Sequence, residues 1–409
     1  MTRRASLGPF TFEHGGRVPE LELAYETYGR YDGSNAVLVC HALTGSHHVR
    51  TPTNADPSGP PSAHGWWDGI VAPGGPVDTT EQYVICANVP GSCHGSTGPT
   101  TPHPDREGVW GSGFPTVTIG DWARAQRRLL DHLGVRQLSA VVGSSVGGMN
   151  ALEWARRYPD RVDRVAAVAA GPRLDAEMVA TNSVARRAIT GDPDWQGGDY
   201  HGTGRRPTRG LAQARRLGHL SYRSKASLDD QFGRERAGRP GPTADPTADD
   251  GSYRAVASYL DYNAERFAER FDAVSYLSLL RAMEEWDLAS EAGSNVAAPA
   301  DSDTASPADS DAAALADFDG ELLLVSYTGD RHFPVAGSEA VAEAAREAGV
   351  TVTHETVASD YGHDAFLAEQ ATLAEPLAEL LADGEAVEGH EPCGRGPSNA
   401  PVHAGLYGI

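Results

Sequence analysis

Residues 138–155, LSAVVGSSVGGMNALEWA, constrain this chain more than any other stretch. A short β-branched run leads into Gly143-Ser144-Ser145-Val146-Gly147, and a helix-forming segment starts directly after it. A G-x-S-x-G held between a strand and a helix forces its central serine into a sharp, strained turn that small neighbours make possible. The helix N-terminus beyond favours a developing negative charge. The spacing predicts Ser145 as a nucleophile. The bland alternative, an incidental serine in a glycine-rich turn, leaves the flanking strand and helix unexplained.

The alternation of strand and helix continues along the chain. Apolar runs at 36–40 (AVLVC), 83–89 (YVICANV), 138–142 (LSAVV), 162–169 (VDRVAAVA), 322–327 (LLLVSY) and 350–357 (VTVTHETV) are each followed by glycine or a helical pattern. Near-continuous apolar strands are buried on both faces, which predicts a mostly parallel sheet in an α/β protein. Helices expected at 121–133, 147–158, 338–348 and 365–381 make the sheet doubly wound. Strand-like runs stop between about 171 and 290. Helical segments at 180–190, 210–221, 253–270 and 275–286 replace them, and strands resume afterwards. That order predicts an α/β core over 1–170 and 317–382 with an inserted helical lid over 171–290. Residues 291–316 are rich in Ala, Ser, Asp and Pro and read as a low-complexity acidic linker, and 383–409 as a weakly ordered tail.

A serine hydroxyl needs a general base, and the base needs an acid to orient it. After a turn of this type the order along the chain is serine, acid, histidine. Asp330 stands just after the run LLLVSYTGD, and His363 in the loop after VTVTHETVAS, so both occupy strand ends that would face the serine. His332 and His354 are the rival bases. His354 falls inside a strand, however, and His332 is only two residues from Asp330. The oxyanion that forms during acyl transfer needs two backbone donors. The Val146 amide follows the nucleophile, and the Leu43 amide, with Thr44 second, lies after the 36–40 run. His47 and His48 have no further ligand at metal spacing nearby, so no metal is expected.

Composition bears on partners and surroundings. Asp and Glu number 56 against 34 Lys and Arg, a formal net charge of −22. Such a field repels phosphate polymers and anionic membranes, so neither nucleic acid nor membrane is an expected partner. Lys225 is the only lysine. Acid excess with almost no lysine predicts a protein adapted to molar salt. The first residues carry no apolar leader-like run, and no stretch reaches the roughly 18–20 apolar residues of a membrane span. Cys40, Cys86, Cys93 and Cys393 show no C-x-x-C spacing. Free thiols in a reducing, cytoplasmic setting are the expectation. Against the overall acidity, residues 201–240 hold ten basic side chains and three acids, a local charge of +7.

The segments HALTGSHH, CANVPGSCHGSTGPT, GSSVGGMNALEWA, RRAITGDPDW, GLAQARRLGHLSYRS, RFDAVSYLSLLRAME, YTGDRHFPV and YGHDAFL, in this order, resemble those of the homoserine O-acetyltransferases. The resemblance runs from about residue 9 to 382, apart from the acidic linker. It implies an α/β-hydrolase fold whose helical lid forms a homodimer, and ping-pong acyl transfer from acetyl-CoA to L-homoserine with no bound cofactor. Ser145, His363 and Asp330 would form the triad, with the Val146 and Leu43 amides on the oxyanion. Arg215 and Asp364 would meet the charged ends of the amino acid, with Arg216 the rival for Arg215. A commoner elbow in that family reads Gly-Gly-Ser-Met-Gly-Gly-Met, whereas here Ser144 and Val146 flank the serine. This difference leaves acyl size open, so homoserine O-succinyltransferase and serine O-acyltransferase are alternatives, followed by a plain esterase or thioesterase.

Overall fold

The computed structural model describes residues 1–52, 64–241, 253–290 and 307–382. Among them, eight strands form one sheet: β1 (Arg3–Ser6), β2 (Glu22–Tyr28), β3 (Ala36–Cys40), β4 (Tyr83–Ala87), β5 (Ala140–Ser144), β6 (Arg164–Val168), β7 (Glu321–Tyr327) and β8 (Thr351–Val357). Their spatial order is β1-β2-β4-β3-β5-β6-β7-β8. Only β1 with β2 and β2 with β4 run antiparallel. The remaining neighbours are parallel.

The apolar runs of the sequence are what bury this sheet on both faces. Successive side chains on a strand point to opposite sides. Leu38, Val141, Val165 and Leu324 join one apolar layer with α1 (Ile119–His132) and α2 (Val146–Arg157). Their neighbours Val39, Val142, Ala166 and Val325 join a second layer with Trp66, Trp67, Phe366 and Leu377. A fully buried aliphatic side chain of this kind contributes about 1.5–3 kcal/mol. The rim strand β8 departs from the expectation of double burial, since its residues are exposed or only partly covered. It has one neighbour, so its outer backbone and alternate side chains meet solvent.

Between β6 and β7 the chain builds α3 (Ala176–Thr190), α4 (Thr208–Tyr222), α5 (Lys225–Phe232), α6 (Ala255–Arg270) and α7 (Ala273–Glu285). Side-chain caps start several of them. Asp175 accepts from the Met178 amide, Ser224 from Ser227 and Asp272 from Ser275.

The stretch read as a linker is corrected over its second half. Pro307–Leu315 is a helix, α8. Its Asp311 and Leu315 are buried, and Asp311 lies 2.5 Å from the guanidinium of Arg173. An alanine-rich segment needs only one apolar and one charged anchor to dock, which composition alone conceals. The rest of that linker, the tail 383–409 and Cys393 lie outside the described residues. After β7 come α9 (Val335–Glu347), α10 (Ala365–Ala368) and α11 (Ala374–Leu381). The single helix expected over 365–381 is therefore broken. Pro376 has no amide hydrogen to continue a ladder from upstream, and it sits in the first turn of α11, where none is needed.

Candidate active site

Strand β5 ends and α2 begins at Ser145, whose φ of 59° and ψ of −129° are rare for a residue with a side chain. The turn is held by close contact. A Cβ on Gly147 would lie 2.2 Å from the Cys40 carbonyl oxygen, so only glycine lets the elbow rest on the end of β3. That contact sets the loop after β3, with Leu43 and Thr44, beside Ser145 in one cavity wall. Val146 is the first residue of α2, where amide hydrogens lack intrahelical acceptors.

The acid and the histidine reach the same point from β7 and β8. Asp330 is buried, and its Oδ1 accepts the amides of His332 at 2.8 Å and Phe333 at 2.9 Å. Its Oδ2 is 2.7 Å from His363 Nδ1, and His363 Nε2 is 2.8 Å from Ser145 Oγ. The structure thus joins Asp330, His363 and Ser145 in one hydrogen-bonded line. Of the rival histidines, His354 is on β8 with its Nε2 2.9 Å from Ser326 Oγ. His332 stacks on the His363 ring, with centroids 4.8 Å apart. Burial, and then the neighbouring His363, push its basicity well below the ordinary histidine range, so it is a neutral wall of the site.

The lid covers this line with α4. A Cβ on Gly362, whose φ is +79°, would lie 2.6 Å from the Tyr222 carbonyl oxygen, so the histidine loop presses directly on the helix end. The Ser224 hydroxyl also donates to the Asp360 carbonyl. Arg215, His219 and Tyr222 consequently line a cavity of about 520 Å³, counted out to its open mouth, together with Ser145, His363 and Asp364. Arg215 Nη1 is 3.4 Å from Thr44 Oγ1, and its guanidinium lies 4.6 Å from the centre of the Phe267 ring. Arg216 points elsewhere: its Nε is 2.7 Å from Asp261 on α6. Burial raises the Asp364 carboxyl above the usual range, opposed by His363, Arg215 and Arg223.

His219 and Tyr222 were not singled out from the sequence, although the signal was present. They follow Arg215 at i+4 and i+7, positions that share a helix face. Among the described residues, no group of three or more His, Cys, Asp or Glu side chains is placed to hold a metal. His47 and His48 instead face Thr2 and Glu26, each at 3.0 Å.

Comparison with known proteins agrees with this architecture. The model of the alpha/beta hydrolase fold family matches residues 35–370. A homoserine O-acetyltransferase of Natronomonas pharaonis is 55% identical, covering 98% of this chain and 98% of its own length. A homoserine O-succinyltransferase of Bordetella pertussis is 42% identical over 89% of this chain and 83% of its own. Among solved structures, a homoserine O-acetyltransferase from Bacillus anthracis superposes with a TM-score of 0.80 at 25% identity, covering 94% of this chain and 98% of that one. An esterase superposes with a TM-score of 0.79 at 26% identity, covering 93% and 100%. With an elbow serine, a strand-end acid and a strand-end histidine on a sheet of this order, the chain belongs to the alpha/beta hydrolase fold family and, within it, to the homoserine O-acetyltransferases.

Proposed function

We propose that this protein transfers the acetyl group of acetyl-CoA to the hydroxyl of L-homoserine through an acyl-Ser145 intermediate, a step toward methionine. The observation that carries the reading is the Asp330–His363–Ser145 line at the floor of a cavity roofed by Arg215. His363 Nε2 takes the Ser145 proton as Oγ attacks the thioester carbonyl, while Asp330 steadies the resulting imidazolium. The amides of Val146 and Leu43 meet the oxyanion. The tetrahedral intermediate collapses, CoA thiolate leaves with the proton from His363, and the acetyl ester remains. Homoserine then gives its hydroxyl proton to His363, attacks the ester, and leaves as O-acetyl-homoserine while Ser145 regains a proton.

The acceptor is a small zwitterion. Arg215 suits its carboxylate and Asp364 its ammonium group, with acetyl-CoA a co-substrate rather than a resident cofactor. Exposed apolar side chains on the lid, Val179 and Val184 on α3, Leu220 on α4 and Tyr262 on α6, support a homodimer formed through the lid. Cys40, Cys86 and Cys93 are free thiols, consistent with a reducing cytoplasm, and among the described residues no helix is long and apolar enough to cross a membrane.

A second reading has specific support, because the relative from Bordetella pertussis is a homoserine O-succinyltransferase. Pocket differences of one substituent shift selectivity by only about 1–3 kcal/mol, so the donor is a matter for measurement. The experiment offers acetyl-CoA and succinyl-CoA, each with homoserine and with serine, in molar potassium chloride, and identifies products by mass spectrometry. O-acetyl-homoserine as the main product is expected. O-succinyl-homoserine would replace the donor, and free acetate at the same rate with or without acceptor would make the protein a hydrolase. Ser145→Ala is expected to lose the acyl-enzyme mass; its retention would exclude Ser145 as nucleophile.

A further inference from the structure

His219 is the least satisfied polar side chain in the cavity wall. It is 3% exposed, yet among the described residues neither ring nitrogen has a hydrogen-bond partner. A buried imidazole left without partners costs about 1–3 kcal/mol per missing bond, so a native structure that keeps one calls for a reason. Core packing does not supply it, because the ring lies in the wall of the cavity that holds Ser145. Aromatic rings also occupy its flanks, Tyr259 at 5.7 Å and Tyr222 at 6.4 Å, both edge-on. A polar partner must therefore come from what enters the cavity.

Charge identifies that partner. The groups that bear on His219 electrostatically are the guanidiniums of Arg215 and Arg223, which reinforce burial in holding the ring neutral. A neutral imidazole carries one N–H and one lone pair. Beside two guanidiniums, an ammonium group is repelled and a carboxylate is drawn in. Residues four apart on a helix are neighbours on one face, so a carboxylate seated on Arg215 has His219 as its next contact along α4.

Resting on the acyltransferase reading above, we propose that His219 is a second hydrogen-bond donor to the carboxylate of the amino-acid acceptor, completing with Arg215 the site that selects an α-amino acid over a simple amino alcohol. Its N–H lies outside the proton relay of Ser145, His363 and Asp330, so it acts on acceptor binding and leaves acylation untouched.

The test compares L-homoserine with 3-amino-1-propanol, which keeps the hydroxyl and ammonium groups but lacks the carboxylate. It uses the full-length enzyme and the variants His219→Phe and His219→Asn. Release of CoA from acetyl-CoA alone, followed in a single turnover, reads acylation and should be unchanged. For His219→Phe, kcat/KM with L-homoserine should fall by about ten- to a hundredfold, the range for one hydrogen bond to a charged group, and KM should carry the change. With 3-amino-1-propanol it should stay within about twofold, because the group His219 contacts is missing. His219→Asn, which retains a donor, should recover part of the loss and provides the same comparison should the Phe variant fold poorly. An equal loss for both acceptors, or a loss of acylation, would assign His219 a structural role and overturn the inference. Failure of the wild-type enzyme to use L-homoserine at all would overturn the acyltransferase reading and this inference with it.

Discussion

Asp330 shows how much one carboxylate orientation decides. Its Oδ1 already accepts two backbone amides, from His332 and Phe333, so only Oδ2 is available to His363. In Asp330→Asn the same two amides require the amide oxygen at the Oδ1 position. The NH2 group is then turned toward His363 Nδ1 and donates to it. That fixes the imidazole in the tautomer with its proton on Nε2, which cannot accept from Ser145. Turnover should fall by about a thousand- to ten-thousandfold while the fold persists. Rapid-quench measurement of acylation and a thermal melt would check this; a variant with near wild-type acylation would mean that Asp330 does not set the tautomer of His363. The three residues of this line were legible in the sequence, because an elbow between strand and helix fixes the serine, and strand ends with a set chain order then leave few places for its partners. His219 was not legible, because its significance lies in partners that are missing around it, and a sequence does not display missing neighbours.

The elements divide along a similar boundary. Parallel strands such as β3 and β5 announce themselves as unbroken apolar runs, since both faces are covered. Strand β2, ELAYETY, mixes polar and apolar residues and runs antiparallel near the rim, so its signal is weaker. Helix α8 gives no signal at all, because what docks it is tertiary: Asp311 meets Arg173, which in turn is 3.0 Å from Asp287. Burial raises the Asp311 carboxyl to about 6, with Arg173 opposing. A carboxyl with a raised folded-state value is bound more tightly to its proton in the native chain than in the unfolded one. Its ionisation therefore lowers stability, a cost that is absent below about pH 4 and fully developed above about pH 6. The stability of Asp311→Asn relative to the wild type should rise between about pH 4 and about pH 7, because the neutral amide has no ionisation to suffer. Denaturant melts at the two pH values would check this. A stability difference that does not change with pH, or a wild type that gains on the variant toward neutrality, would rule it out.

Across the whole molecule, a charge of −22 sets the conditions under which an anionic thioester can approach. The segment 201–240 opposes that field, though not uniformly. Arg216 is spent on Asp261, Arg223 bonds Ser227 and Gln231, and Arg205 lies 3.8 Å from Asp194. Arg234 and Arg236 are exposed, and among the described residues the Arg239 guanidinium reaches the Ser258 hydroxyl and the face of Tyr253. We expect these three to draw in the CoA phosphates. Attraction between exposed charges is screened over about 10 Å at 0.1 M salt and about 3 Å at 1 M. Reversing all three to Glu should therefore raise the KM for acetyl-CoA several-fold at the lowest salt in which the enzyme stays folded, and the increase should vanish in molar potassium chloride. The KM for homoserine, whose net charge is zero, should not move at either salt, which separates steering of the donor from damage to the lid. An acetyl-CoA KM that is unchanged at low salt would remove these arginines from the path of the donor. An increase that survives molar salt would instead mean direct, unscreened contact with the phosphates rather than attraction at a distance.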